Sequence, residues 1–227
     1  MSLKPMFDGV VGTYDLLNRL LTWGLDGVWR KLCARECNSS GVVVDLCCGT
    51  GDLALHILKQ AAPEACIVGL DFSKAMLKAA GKKLGRRSKI DLVLADAAHM
   101  PFKEGCVDRI AISFSFRNLT YRNPKAEEYL KEVLRTLRCG GRFVCVETSQ
   151  PKQRPLKILY HLYLRKIVPW LGGLVSGRKA AYRYLGASAV NFPPAEQVAE
   201  MLLNAGFQEA SFKLLAFGVV ALHVGVK

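Results

Sequence analysis

Five apolar runs rich in β-branched residues, Val42–Leu46, Cys66–Leu70, Ile90–Ala95, Val107–Phe114 and Arg142–Glu147, alternate with segments of helical period at Asp52–Gln60, Ser73–Leu84 and Pro124–Leu137. A strand that is apolar at almost every position must be covered on both faces, which calls for a parallel sheet flanked by helices. The alternation therefore predicts a βαβαβ series with right-handed crossovers, a doubly wound, Rossmann-like α/β sheet. Beyond it, Ala195–Ala205 reads as a helix, and Phe207–Leu215 and Phe217–Val226 as two strands with almost no connection. Such a pair closes as an antiparallel hairpin, giving seven strands in all. Ahead of the first strand, Met6–Cys37 is helical and carries Tyr14, Trp23 and Trp29, a prefix that reads as a lid or helical layer. With 227 residues, 51% of them hydrophobic, one domain over 1–227 is expected. Its parts would be a helical lid over 1–40, a ligand-binding core over 41–147, a basic helical insertion over 148–194, and a C-terminal helix and hairpin over 195–227.

Charge is the next constraint. Thirty-two Lys and Arg against 19 Asp and Glu leave a formal charge of +13, which implies an anionic partner: nucleic acid, phosphate groups or an acidic membrane surface. The excess is concentrated. Between Glu147 and Glu196 lie eight basic residues and no acid, and from Phe72 to Ile90 seven more, again with no acid. The second of these patches reads as a charged helix face and loop. No window of 18 apolar residues occurs and the start has no signal-peptide core, so a cytoplasmic protein is expected. Eight cysteines without zinc spacing read as buried structural thiols, and no metal site is expected.

Asp45-Leu-Cys-Cys-Gly49-Thr50-Gly51-Asp52 follows the first strand and opens the first helix. Glycines there let backbone approach a ligand, and the helix N-terminus favours negative groups. A nicotinamide dinucleotide site would require a third glycine, where this chain has Ala54. Asp71 ends the second strand 20 residues past Gly51, placed to accept from both hydroxyls of a ribose. Asp96-Ala97 ends the third strand, with an acceptor for an adenine amino group and a backbone donor for a ring nitrogen, and Ser113 ends the fourth. Open α/β sheets bind ligands at these strand ends. The set reads as a site for S-adenosylmethionine (SAM), with Asp45 fixing the glycine turn; the alternative is ordinary turn glycines and N-capping aspartates.

The chain resembles the ubiquinone/menaquinone biosynthesis C-methyltransferases, the UbiE/MenG family, over nearly its whole length. The resemblance is carried by Phe7-Asp8, Tyr14-Asp15-Leu-Leu-Asn18, Trp29, Asp45 with Gly49-Thr50-Gly51-Asp52, Ile112-Ser113-Phe-Ser-Phe-Arg117-Asn118, Gly140-Gly141-Arg142 with Glu147-Thr-Ser149, Tyr182-Arg183-Tyr184-Leu185, and Gly218-Val-Val-Ala-Leu-His223. It implies a class I SAM-dependent methyltransferase fold and C-methylation of a prenylated quinol, of demethylmenaquinol or ubiquinol-precursor type. Carried over by motif, the SAM contacts are Thr50, Asp71, Asp96, Ala97 and Ser113. The chain departs from the family at Cys48 (usually Gly), Asp26 (usually His) and Arg138-Cys139 (usually Lys-Pro).

Methylation of a ring carbon beside a phenolic oxygen requires that oxygen to carry negative charge. Free phenols titrate near ~10, so reaching the phenolate at neutral pH costs ~4 kcal/mol. Arg117, just past the fourth strand, supplies a fixed cation that is not itself a proton acceptor, and Asn118 can orient the same oxygen. The alternative is that Arg117 caps a helix or pairs with an acid. Tyr14 and Asn18, four apart on one helix, would close over the site as a lid, unless Tyr14 is simply packed in a helical interface. His223 is chemically suited to move ring protons, though a lone His on an apolar strand is more often a core residue.

A prenylated substrate lives in the membrane, so peripheral contact with an anionic membrane, at the inner face of the cytoplasmic membrane, is expected. Leu156, Leu159, Tyr160, Tyr163 and Ile167 share one predicted helix face, with Lys157, His161 and Arg165 on another. Either this helix rests on lipid or its apolar face turns to the core. The rival function is RNA methylation, suggested by the charge. Against it, Asn191-Phe-Pro-Pro-Ala interrupts the Asn-Pro-Pro-aromatic motif of amino methylation, and no Pro-Cys nucleophile motif occurs. No nucleic-acid partner is therefore expected; a SAM-binding scaffold without activity is disfavoured by the Arg117-Asn118 pair, and a homodimer is compatible with the sequence.

Overall fold

The computed structural model describes residues 4–85 and 88–227. Arg86 and Arg87 of the second basic patch, and the first three residues of the expected lid, lie outside the described residues. The N-terminal layer is three helices, α1 Lys4–Asp8, α2 Val11–Thr22 and α3 Leu25–Glu36. The core follows as β1 Val42–Leu46, α4 Asp52–Leu58, β2 Cys66–Asp71, α5 Lys74–Leu84, β3 Ile90–Leu94, β4 Val107–Ser113, α6 Phe116–Thr120, α7 Ala126–Thr136 and β5 Leu137–Thr148. A second helical layer comprises α8 Arg154–Leu162, a π-helical turn Tyr163–Ile167, α9 Val168–Ser176 and α10 Lys179–Val190. The chain ends with α11 Ala195–Ala205, β6 Glu209–Leu215 and β7 Val220–Val226.

The seven strands form one sheet in the order β3-β2-β1-β4-β5-β7-β6. β1 to β5 are parallel, and β7 enters antiparallel between β5 and β6. Strand order reverses on either side of β1, so the crevice beyond β1 and β4 is the topological switch point. The expected near-continuous burial holds where coverage is complete: Val43, Val44, Asp45 and Leu46 of β1 are all buried. One face of the sheet packs Ile110, Phe143, Leu130 and Leu202 together, and the other packs Val43, Trp29, Cys33 and Ile57. A third cluster, built from Val10, Leu17, Tyr160, Leu164, Val168 and Tyr182, joins the two helical layers to each other.

Several expectations require correction. β5 begins at Leu137, not Arg142, because the chain turns directly from α7 into the strand and Val107 pairs with Leu137 before the register shifts. The short α6 was not foreseen, and the final hairpin has a connection, a 3-10 turn at Ala216–Gly218 with Phe217 in the left-handed region (φ 56°). Of the eight free cysteines, Cys66, Cys106 and Cys139 are exposed. The expected face of the helix at 156–167 is mixed: Tyr160 is buried, whereas Leu159 and Ile167 are exposed. Among the described residues no helix is long and apolar enough to cross a membrane.

Candidate active site

The strand ends converge on a cavity of about 960 Å³, near the upper bound of the roughly 300–1,000 Å³ usual for small-molecule sites. Gly49, Asp71, Asp96 and Ala97 line it, with Tyr14 from the N-terminal layer and Asn118 from α6. Gly49 is in the left-handed region (φ +53°), and an added Cβ would meet nothing within 4 Å, so the turn presents open space. Asp71 is buried, and burial raises its carboxyl pKa. Its two oxygens each accept one backbone N–H, from Gly49 at 2.9 Å and Ser73 at 2.8 Å. A carboxylate oxygen has a second lone pair, so both can still accept from a ligand. Leu70 and Ala95 add apolar wall beside these carboxylates. Acceptors at two strand ends, an apolar wall and an unobstructed glycine turn fit the ribose and base of an adenosine-containing cofactor.

Asp45 holds the turn as expected, whereas Thr50, Gly51 and Ser113 are not in the lining of the cavity. Asp45 is buried behind the turn, where its carboxylate accepts the Ala54 N–H (2.9 Å) in the first turn of α4, and burial raises its pKa to about 8. Thr50 does not line the cavity; its hydroxyl donates to Asp15 (2.6 Å) and accepts from Lys83 (3.0 Å). Gly51 caps α4 and faces Ala80 and Leu84 of α5. Ser113 accepts from Arg30 Nε at 3.3 Å. Asp45 and Thr50 hold the cofactor turn from behind and Gly51 closes it onto α4, whereas Ser113 is tied to Arg30 of α3. Cys48, where the family usually has Gly, turns away from the cavity and lies over Gly69 of β2, which has no side chain to oppose it. Asp26, the other departure, forms a buried ion pair with Arg30, whose guanidinium lies 5.4 Å from the Phe114 ring centroid. Arg138, the third, pairs with Asp108.

A smaller chamber of about 50 Å³ adjoins the first, sharing Tyr14, Asn118 and Tyr184 with it and adding Arg117 and Asn18. Arg117 is buried and pairs with Glu147 (Nη1 to Oε1, 2.5 Å), so the alternative of an acid partner is realised. Nη1 also donates to the Phe114 carbonyl, and Nε donates to Ser188 Oγ. Nη2 has no hydrogen-bond partner among the described residues, and the side chain lines the chamber. Burial alone would lower the Arg117 pKa, but the Glu147 carboxylate more than offsets this and raises it. Burial likewise raises the Tyr14 phenol, which stays protonated as a donor. His223 lines neither space. It sits mid-strand opposite Cys145, both ring nitrogens are buried with no hydrogen-bond partner among the described residues, and burial lowers its pKa to about 4.

Sequence reasoning missed a set of contacts that fasten the N-terminal layer over the cofactor turn. Lys83 Nζ bridges Asp15 (2.6 Å) and Asp52 (2.7 Å), and Ser73 Oγ, which caps α5, donates to Asp8 at 2.5 Å. It also missed Glu147 as the partner of Arg117, and Tyr184 of α10 in both spaces. Asp15 beside Tyr14 and Glu147 at a strand end were visible signals, but nothing local paired them.

The sequence profile of the ubiE/COQ5 methyltransferase family matches residues 2–227. A demethylmenaquinone methyltransferase from Thermus thermophilus is 41% identical over 97% of this chain and 99% of its own length. A ubiquinone/menaquinone biosynthesis C-methyltransferase UbiE from Geotalea uraniireducens is 35% identical over 99% of this chain and 96% of its own. Among solved structures, a SAM-dependent methyltransferase from Thermotoga maritima superimposes with a TM-score of 0.63 at 17% identity, covering 97% of this chain and 98% of that one. Another from Aquifex aeolicus gives 0.53 at 15% identity, covering 84% and 83%. These two share the fold. RNA methylation is not favoured by these relationships. The chain therefore belongs to the ubiE/COQ5 methyltransferase family and is a SAM-dependent methyltransferase of the class I fold.

Proposed function

We propose that the protein transfers a methyl group from SAM to a ring carbon of a prenylated quinol, of demethylmenaquinol or ubiquinol-precursor type. SAM would lie along the strand ends, its ribose on Asp71 and its adenine beside Asp96 and Ala97; when bound it supplies an electrophilic methyl group. The observation that carries the reading is the neighbouring chamber, in which Arg117 keeps one guanidinium nitrogen unpartnered beside Asn118 and Tyr14. That nitrogen and the Asn118 amide bind the quinol oxygen, and the fixed cation stabilises the phenolate that makes the adjacent ring carbon nucleophilic. Because Glu147 raises its pKa, Arg117 holds charge and takes no proton: the phenolic proton leaves to solvent before the ring is enclosed, methyl transfer leaves S-adenosylhomocysteine, and the displaced ring proton returns to the quinol oxygen through solvent after transfer. Tyr14, reaching over both spaces from α2, excludes water and holds the ring against the cofactor.

The test is incubation of the purified protein with methyl-labelled SAM and a short-tailed demethylmenaquinol, with mass spectrometric location of the label. A ring C-methyl product is expected, and Asp71→Ala should weaken SAM binding by ~2–3 kcal/mol in calorimetric titration. Label on oxygen, or on added RNA in place of the quinol, would refute the substrate reading. Equal SAM affinities for variant and parent would refute the role of Asp71.

A further inference from the structure

The segment from α8 to α9 carries apolar residues on two opposite sides. Its inward stripe, Tyr160, Leu164 and Val168, recurs every four residues and packs in the cluster that joins the two helical layers. Ile158, Leu162, Trp170 and Leu174 lie on a second four-residue row, two residues out of phase, whose middle position is Lys166; all four are exposed, Trp170 at 62% and Leu174 at 71%. In a straight α-helix such a row drifts by about 40° per step. The π turn at Tyr163–Ile167 is wider, with i to i+5 bonding, and takes back part of that drift, keeping the outer row on one side. Alongside, Leu16, Leu20 and Trp23 of the first layer are exposed too, Trp23 at 87%. The two surfaces are tied where Tyr163 Oη donates to the Leu21 carbonyl at 2.7 Å. A helix needs one apolar stripe to pack, so a second, outward one marks a contact surface.

We propose that this face docks on an anionic lipid surface, with Trp170, Leu174, Leu162 and Ile158 entering the headgroup region and the surrounding cations meeting lipid phosphates. Lys157 and Arg165 flank the row, Lys166 stands within it, and Arg178 follows just before α10, with Lys179 and Arg183 on α10 itself; all six are exposed, and none forms an ion pair among the described residues. A second copy of the chain would bring the same uncompensated cations against each other. RNA would match the charge and leave the aliphatic row in water. A lipid interface takes up both, and indole rings with long basic side chains are the side chains that sit at its boundary. The face also adjoins the site: α10 lays Gly186 against the Leu164 carbonyl and lines the cavity with Tyr184 and Ser188.

Vesicle binding, measured without SAM or quinol, separates this surface from the substrate assignment. Phosphatidylcholine vesicles with about one third phosphatidylglycerol should bind the protein at least roughly tenfold more tightly than pure phosphatidylcholine, and salt should weaken the binding by screening. Trp170 and Trp23 emission should shift to the blue and become shielded from an aqueous quencher, while buried Trp29 stays unchanged. Leu162→Ser with Leu174→Ser, at exposed positions, should lose most of the binding while circular dichroism and melting stay as in the parent. Lys157→Gln with Arg165→Gln and Lys166→Gln should abolish the preference for anionic vesicles. Equal binding to neutral vesicles, or full binding by either variant, overturns the proposal. So does displacement from vesicles by an RNA oligonucleotide, or a dimer in sedimentation that shields Trp170 without lipid.

Discussion

Replacing Arg117 by Gln removes one half of a buried ion pair and should damage both stability and turnover. The Glu147 side chain is fully buried, and its oxygens accept from Arg117 Nη1, the Arg117 backbone N–H, the Thr148 N–H and the Thr148 hydroxyl. Without the guanidinium, the carboxylate stays in the interior with neutral donors only, at a cost of ~3–5 kcal/mol. For a chain of this length that lowers the melting temperature by roughly 6–20 °C, at about 2–4 °C per kcal/mol. Catalysis gives the second readout. The guanidinium meets charge that develops on the quinol oxygen, so turnover should fall on the order of a hundredfold with SAM affinity nearly unchanged. The double variant Arg117→Met with Glu147→Leu separates the two roles, since apolar replacement of a whole buried pair is often neutral or stabilising. It still leaves the backbone N–H groups at Arg117 and Thr148 without the acceptor they have in Glu147, so it should melt below the parent but above Arg117→Gln, and turn over about a hundredfold more slowly than the parent. Urea denaturation, calorimetric SAM titration and single-turnover kinetics give the three quantities. If Arg117→Gln costs under ~1 kcal/mol, the pair is not the buried charge pair described; if the apolar double variant keeps full turnover, Arg117 is structural only.

Because burial lowers the His223 pKa to about 4 while the unfolded side chain titrates near ~6.5, the unfolded state binds more protons between those values, and stability should fall as pH drops from ~6.5 to 4. His223→Leu should remove that slope, gain up to ~1–3 kcal/mol at pH 7 by deleting two unpaired ring nitrogens, and leave turnover intact; lost turnover would restore His223 to the chemistry. Lys83→Met cuts the bridge from Asp15 to Asp52, and stopped-flow release of SAM should speed up by roughly three- to tenfold with little change in the chemical step; an unchanged rate of release would show that the N-terminal layer does not retain the cofactor. Two helical glycines should respond with opposite sign to Ala: at Gly186 an added Cβ overlaps the Leu164 carbonyl, costing ~1–3 kcal/mol, whereas at Gly12 it meets nothing within 4 Å and should stabilise α2 by up to ~1 kcal/mol. Thermal melts of the two variants decide this.

What the sequence alone determined here is what depends on neighbours along the chain. The apolar runs, their spacing and the glycine turn settle the order of strands and helices, because side-chain period and turn geometry are local properties. Asp71, Asp96 and Gly49 were legible for the same reason: a strand end in a doubly wound sheet faces the crevice whatever surrounds it. Partners were not legible. Arg117 meets Glu147 across 30 residues because β4 and β5 are adjacent, and Thr50 turns to Asp15 because α2 folds back over the cofactor turn. No spacing along the chain encodes either encounter. The same holds for Tyr160 and Leu159, adjacent and both apolar: only the packing of α8 against α2 and α10 decided that one is buried and the other exposed. A hydrophobic pattern specifies that a face will be covered; which face, and by what, is decided by the shape of everything packed against it.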